Sequence, residues 1–98
     1  MIRHTARPDR PIQTVAVCGG AGSFLLPQAI RQKADAYVTA DFKYHELFDA
    51  DGQLMIADIG HYESEVYTKE LIQELLCEKF VNFAVRLANA NTNPVFYF

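Results

Sequence analysis

Short strand-forming runs alternate with helix-forming ones along this chain, and that alternation restricts the fold more than any other feature. Ile12 to Cys18 is a β-branched run that reads as a buried strand. Ala36 to Thr39 reads as a second strand. Gln53 to Ile59, built on the apolar run Leu54-Met55-Ile56-Ala57, reads as a third. Between the first two, Phe24 to Lys33 has helical spacing, with Leu25, Leu26, Ala29 and Ile30 toward a core and Pro27 tolerated in the first turn. Asp41 to Phe48 reads as a short helix or helical turn, and Val66 to Phe80 as a long helix. In the latter, Leu71, Ile72, Leu75, Leu76 and Phe80 make one apolar stripe, with Glu70, Glu74 and Glu78 elsewhere. Phe83 to Leu87 and Val95 to Phe98 read as two further short strands. Pro94 suits the start of an edge strand, because it has no N–H to give a central ladder. The expected fold class is therefore α/β: a layered, mainly parallel sheet of about five strands with flanking helices and a C-terminal edge strand.

Ninety-eight residues suffice for one small domain with a core. Residues 12–98 are assigned to that domain, and 1–11, with two prolines and no periodicity, to an extended lead-in. Half the residues are apolar, so the chain is expected to fold rather than stay disordered. A net charge of −3 without a basic cluster argues against nucleic acid and anionic membrane as partners. No run is long enough to span a bilayer, and the polar start, Met1-Ile2-Arg3-His4-Thr5, does not resemble a signal peptide. A cytoplasmic location is the expectation. Cys18 and Cys77 accord with it as two buried, reduced thiols.

In a parallel α/β sheet, ligands collect beyond the carboxyl ends of the strands. Three chemistry-bearing clusters follow strands here, and adjacent strands would gather them around one crevice. After the first strand comes Gly19-Gly20-Ala21-Gly22-Ser23. Its glycines and Ser23 suit an anion cradle, in which backbone N–H groups approach a phosphate. They equally suit a tight turn that needs positive φ angles. After the second strand, Asp41, Lys43, Tyr44 and His45 offer a carboxylate, a cation, a phenol and an imidazole. The alternative there is a capped surface turn. After the third, His61 and Glu65 stand four apart on one helical face, a spacing that can present both to one metal ion or leave them as solvated neighbours. Asp58 lies inside an apolar strand and must find a partner. It either orients a ligand histidine or caps a neighbouring loop.

Taken together, Ile12 to Cys18 with the glycine turn, Ala34-Asp35-Ala36-Tyr37-Val38-Thr39-Ala40-Asp41 with Tyr44-His45, and Asp58-Ile59-Gly60-His61 with Glu65 resemble the C-terminal part of the NIF-three-like proteins. These are dinuclear-metal proteins labelled GTP cyclohydrolase type-two homologues. The likeness runs from Pro11 to near the end of the chain. It implies two metal ions in a cleft between two α/β regions, with zinc, manganese or iron as candidates. His61 and Glu65 match the family's Gly-His-x-x-x-Glu motif and are the implied metal ligands. The family's other ligands, a His-His-Pro pair and an Asp, lie in its N-terminal half and have no match here, since His4 lacks the second His and the proline. Ala40 stands where the family commonly has Gly before Asp. The resemblance therefore implies a domain of a longer protein, carrying half a metal site and weak or no metal by itself.

Two functions of different class follow from the resemblance. One is metal-dependent hydrolysis of a nucleotide or phosphoester by the whole protein, with this chain alone inactive. In it, Asp41, Lys43, Tyr44, His45 and Asp58 steady a ligand or touch substrate, and Gly19, Gly20, Gly22 and Ser23 meet its anionic group. The other is a non-catalytic metal-binding or protein-interaction module, which suits a family named for a protein partner. Homo-oligomers, at least dimers, are expected, with residues 93–98 at the interface. An uncovered aromatic tail, Phe96-Tyr97-Phe98, would be an aggregation hazard.

Overall fold

In the computed structural model, which describes all of residues 1–98, the apolar runs assemble into one four-stranded sheet. Its strands are β1 (Arg3–His4), β2 (Val15–Ala21), β3 (Ala36–Ala40) and β4 (Met55–Asp58), in the order β1-β4-β3-β2. The β2–β3 and β3–β4 pairs are parallel, whereas β1 runs antiparallel to β4. The class is α/β as expected. The sheet is mixed, with four strands rather than about five, and its extra edge is N-terminal instead of C-terminal. The lead-in supplies that edge: Thr5 N–H reaches the Ile56 carbonyl at 3.0 Å, and Thr5 Oγ1 accepts the Ile56 N–H at 2.9 Å.

The strand expected to be buried over Ile12–Cys18 is an edge strand with one open face. Val15 and Val17 are exposed, while Ala16 and Cys18 between them pack on the core. The alternation is that of a strand covered on one side only. The central strand β3 is the most enclosed, with Tyr37 and Thr39 almost fully buried. Around Tyr37 gather Leu26, Ala29, Phe42, Leu54 and Ile56, with the Tyr37 and Phe42 rings edge to face at 6.4 Å. The first helical segment is a 3₁₀ turn (Ser23–Leu25) running into α1 (Leu26–Arg31). A second 3₁₀ stretch covers Tyr44–Ala50. At the start of β3, Asp35 accepts the N–H groups of Gln13 and Thr14 and the Arg10 guanidinium at 2.7–3.0 Å. Those backbone bonds, then Arg10, hold its carboxyl down at about 2.

The chain divides into two compact units, Met1–Ser64 and Glu65–Phe98. The helix expected over Val66–Phe80 is α3 (Thr68–Lys79), and a separate short helix, α2 (His61–Glu65), precedes it. The apolar stripe of α3 is open, with Leu71, Ile72 and Leu75 each at least half exposed. No strand forms over Phe83–Leu87 or Val95–Phe98. Side chains take some of the backbone groups there instead. Gln73 Nε2 donates to the Val85 carbonyl, and the Asn91 and Asn93 side chains accept the N–H groups of Asn93 and Val95. Both cysteines are free thiols, but neither is buried: Cys18 is half-buried and Cys77 exposed on α3. No helix is long and apolar enough to cross a membrane.

Candidate functional site

Because β2, β3 and β4 are adjacent and parallel, the turns that follow them share one end of the sheet. Their residues touch. Asp41 leaves β3 in the left-handed region, at φ 60°, which an Asp tolerates better than most residues. Its Oδ2 lies 2.6 Å from His61 Nδ1 at the head of α2. An ionised carboxylate only accepts, so the ring proton sits on Nδ1 and the pair is N–H donating to O. Both side chains are about half exposed. Ser64, one turn along, accepts the Gly20 N–H at 2.7 Å and donates to the His61 carbonyl at 2.8 Å. Thus the glycine turn and the His61 helix are tied directly.

The glycines serve this convergence in different ways. Gly20 adopts φ +68°, which only glycine takes without penalty, where the β2–β3 register shifts. Gly22 has an ordinary φ of −110° and is needed for space. A Cβ there would overlap Thr39 Oγ1 and come within 2.7 Å of the Tyr37 hydroxyl. The Gly22 carbonyl accepts the Tyr37 O–H at 2.8 Å, and the Gly20 carbonyl the Thr39 O–H at 3.1 Å. Two of the turn's amides are directed inward, Gly20 to Ser64 and Gly22 to the Ala40 carbonyl at 3.4 Å. Gly19 lies within β2, and Ser23 opens the 3₁₀ turn.

Asp58 is buried and takes the loop-capping alternative. It accepts the N–H of Phe42 at 3.1 Å and of Gly60 at 3.2 Å and pairs with the Arg3 guanidinium. The carboxylate on His61 is Asp41 instead. Lys43, Tyr44 and His45 follow the 3₁₀ stretch outward and are all exposed. The Lys43 N–H is capped by the Glu46 carboxylate at 2.8 Å, and the Tyr44 ring packs edge to face on Phe48 at 5.4 Å. Arg3 and Ser64 escape a sequence reading. Arg3 meets Asp58 from 55 positions away, and nothing in a proline-rich lead-in announces that contact.

His61 and Glu65 stand at the first and last positions of α2, one helical turn apart. An imidazole nitrogen and a carboxylate oxygen are a donor set that fits zinc, manganese or iron. No group of three or more His, Cys, Asp or Glu side chains converges as a complete ion site would require.

Comparison with known proteins agrees with this architecture. The family model described as Duf34/NIF3 (NGG1p interacting factor 3) matches residues 1–94. A Staphylococcus epidermidis protein named GTP cyclohydrolase 1 type 2 homolog is 38% identical over 102 residues, covering 98% of this chain and 27% of that protein. A Staphylococcus aureus protein of the same name is 35% identical over 101 residues, with the same coverage. The chain therefore spans about a quarter of the length of these relatives. Among solved structures, Staphylococcus aureus protein SA1388 superposes with a TM-score of 0.89 at 34% identity, over 100% of this chain and 34% of that one. A Bacillus cereus protein related to NIF3 gives 0.74 at 30% identity, over 100% of this chain and 28% of that one. With its sheet, its glycine turn and its Gly-His-x-x-x-Glu segment all inside the matched residues, the chain belongs to the NIF3 (DUF34) family.

Proposed function

We propose that this chain forms one wall of a divalent-metal site in a protein of its relatives' length, with His61 and Glu65 as ligands. One observation carries the reading: the 2.6 Å Asp41–His61 contact at the carboxyl ends of parallel strands. Ligand histidines characteristically give their second ring nitrogen to a carboxylate, which fixes the ring and raises its basicity. Asp41 fills that role, and Nε2 is then the nitrogen for the ion. The bound metals would activate water and polarise a nucleotide or phosphoester, giving a cytoplasmic metal-dependent hydrolase. The Gly19–Ser23 turn stands beside the pair through Gly20 and Ser64; with the Gly20 and Gly22 amides already bonded, an anionic substrate group would meet Gly19 and Ser23. Lys43, Tyr44 and His45 border the same end of the sheet.

Metal titration followed by calorimetry tests this. The 98-residue chain should hold zinc or manganese weakly, and His61→Ala should remove what binding remains. In the longer protein, His61→Ala should cost at least one of two ions and abolish hydrolysis of phosphoester substrates. Retention of both ions by that variant would rule the reading out.

A second reading, a metal-binding or protein-interaction module without turnover, is favoured by the open apolar stripe on α3 and the exposed Phe96 and Phe98. In either case we propose a homo-oligomer, at least a dimer, with residues 93–98 in or beside the interface. Deleting those residues should yield a monomer or an insoluble protein. A soluble deletion variant of unchanged oligomeric mass in light scattering would refute the interface.

A further inference from the structure

We infer that the Arg3–Asp58 ion pair is a positioning clamp that sets the Asp41–His61 pair. Arg3 and Asp58 are direct cross-strand partners in the β1–β4 register. The Asp58 carboxylate is buried, and its other bonds go to two particular amides: Phe42, the residue after Asp41, at 3.1 Å, and Gly60, the residue before His61, at 3.2 Å. One carboxylate therefore holds the two loops whose next residues form the imidazole–carboxylate contact.

Arg3 does more than neutralise that charge. Its Nη2 also donates to the Phe42 carbonyl at 2.9 Å. Phe42 is thus gripped at its N–H by Asp58 and at its carbonyl by Arg3, while its ring is buried edge to face on Tyr37. Asp41, immediately before it, sits at φ 60°, and Gly60 at φ 94°. Left-handed backbone at an Asp is disfavoured and persists only where its surroundings determine it. The clamp provides that determination. Its consequence is chemical: with Asp41 held in place, the His61 proton stays on Nδ1. A solvated histidine side chain favours the proton on Nε2, so releasing Asp41 would return the ring to that mixture. The inference rests on the proposed function only for what Nε2 then does.

The test reads the ring directly, in metal-free 98-residue chain, by long-range ¹H–¹⁵N correlation on the alkaline side of the histidine titration, which the same spectra locate. His45, exposed on the 3₁₀ stretch, is the internal reference. His61 should be mainly Nδ1–H. Arg3→Ala should lower its Nδ1–H to Nε2–H ratio by about threefold or more, the scale of one lost hydrogen bond. Arg3→Lys, which keeps the charge but not the fork, should restore part of that ratio. The Arg3 side chain is more than half exposed, so its variants should fold. Should Arg3→Ala fail to fold, Arg3→Lys and Asp58→Asn read the same ratio. Arg10→Ala controls for general destabilisation, since it breaks the ion pair with Asp35 at the opposite end of β3. It should leave the His61 ratio unchanged. An unchanged ratio in Arg3→Ala, or an equal shift in Arg10→Ala, would overturn the clamp. A ratio that follows the clamp in a protein that binds no cation would support it while removing the metal reading.

Discussion

The two units of this chain contrast in how they use apolar residues. Within Met1–Ser64, Leu54 and Ile56 are almost completely enclosed, and Tyr37 and Thr39 fill the space beside them. Within Glu65–Phe98 no residue is buried, although Leu71, Ile72, Leu75 and Phe83 are as apolar as anything in the sheet. Composition does not separate the units; long-range backbone pairing does. Each strand of the first unit brings distant segments within reach, so a side chain on one meets side chains from several. The second unit has one helix and local turns, whose bonds close over a few residues. An amphipathic helix gains most of its stability from the surface its stripe covers. The stripe of α3 therefore stays uncovered, whereas β3 and β4 form a core.

That contrast can be broken most directly by truncation. Leu54→Ala or Ile56→Ala should cost about 2–5 kcal/mol of unfolding free energy, as buried large-to-small changes do. Leu75→Ala on α3 should stay within about 0.5 kcal/mol, the range of exposed substitutions. Urea unfolding of the three variants compares them, and equal costs would show that the contrast is wrong. A smaller effect sharpens the argument for the glycine turn. Gly22→Ala should cost about 1–3 kcal/mol, because its methyl must displace Thr39 and Tyr37 in a packed core. Gly52→Ala meets no atom within 4 Å and should lose about 1–2 kcal/mol to its φ of +67° alone. Crystal or NMR coordinates of the Gly22 variant should show Thr39 displaced; an undisturbed Thr39 would contradict the close packing.

The smallest effect concerns acid. Asp35 titrates at about 2 in the folded chain against an ordinary 3.8. Its stabilising contribution is full above the unfolded value and disappears as pH falls through the folded one. The window is therefore roughly pH 4 down to 2. Thermal melts across that window should show a drop for the first unit that Asp35→Asn flattens. A variant with the same pH slope as the parent would remove Asp35 as its source.

The placement of the chemistry was readable because it depends on local order. Val15 to Ala21, Ala36 to Ala40 and Met55 to Asp58 each precede a loop bearing glycine, Asp or His, and parallel pairing puts such loops at one end. What misled was the tail. Val95-Phe96-Tyr97-Phe98 has the composition of a strand, but strand propensity is a property of a surface to pair with, and here no strand pairs with it while the Asn93 side chain takes the Val95 amide. Asp58 shows the same limit within the core. Its burial was legible from the apolar run around it, but its partners were not, since Arg3 and Phe42 approach through tertiary contacts.

By itself, the sequence determined the α/β class, the three main strands of the sheet and the spacing of His61 and Glu65 one helical turn apart, because each depends on periodicity or spacing within a few residues. Only the tertiary structure decided that Asp41 rather than Asp58 meets His61, that the lead-in closes the sheet through Arg3, and that the apolar stripe of α3 stays open. These depend on which distant groups are brought together, and the free energy of such contacts resides in pairs that no local window contains.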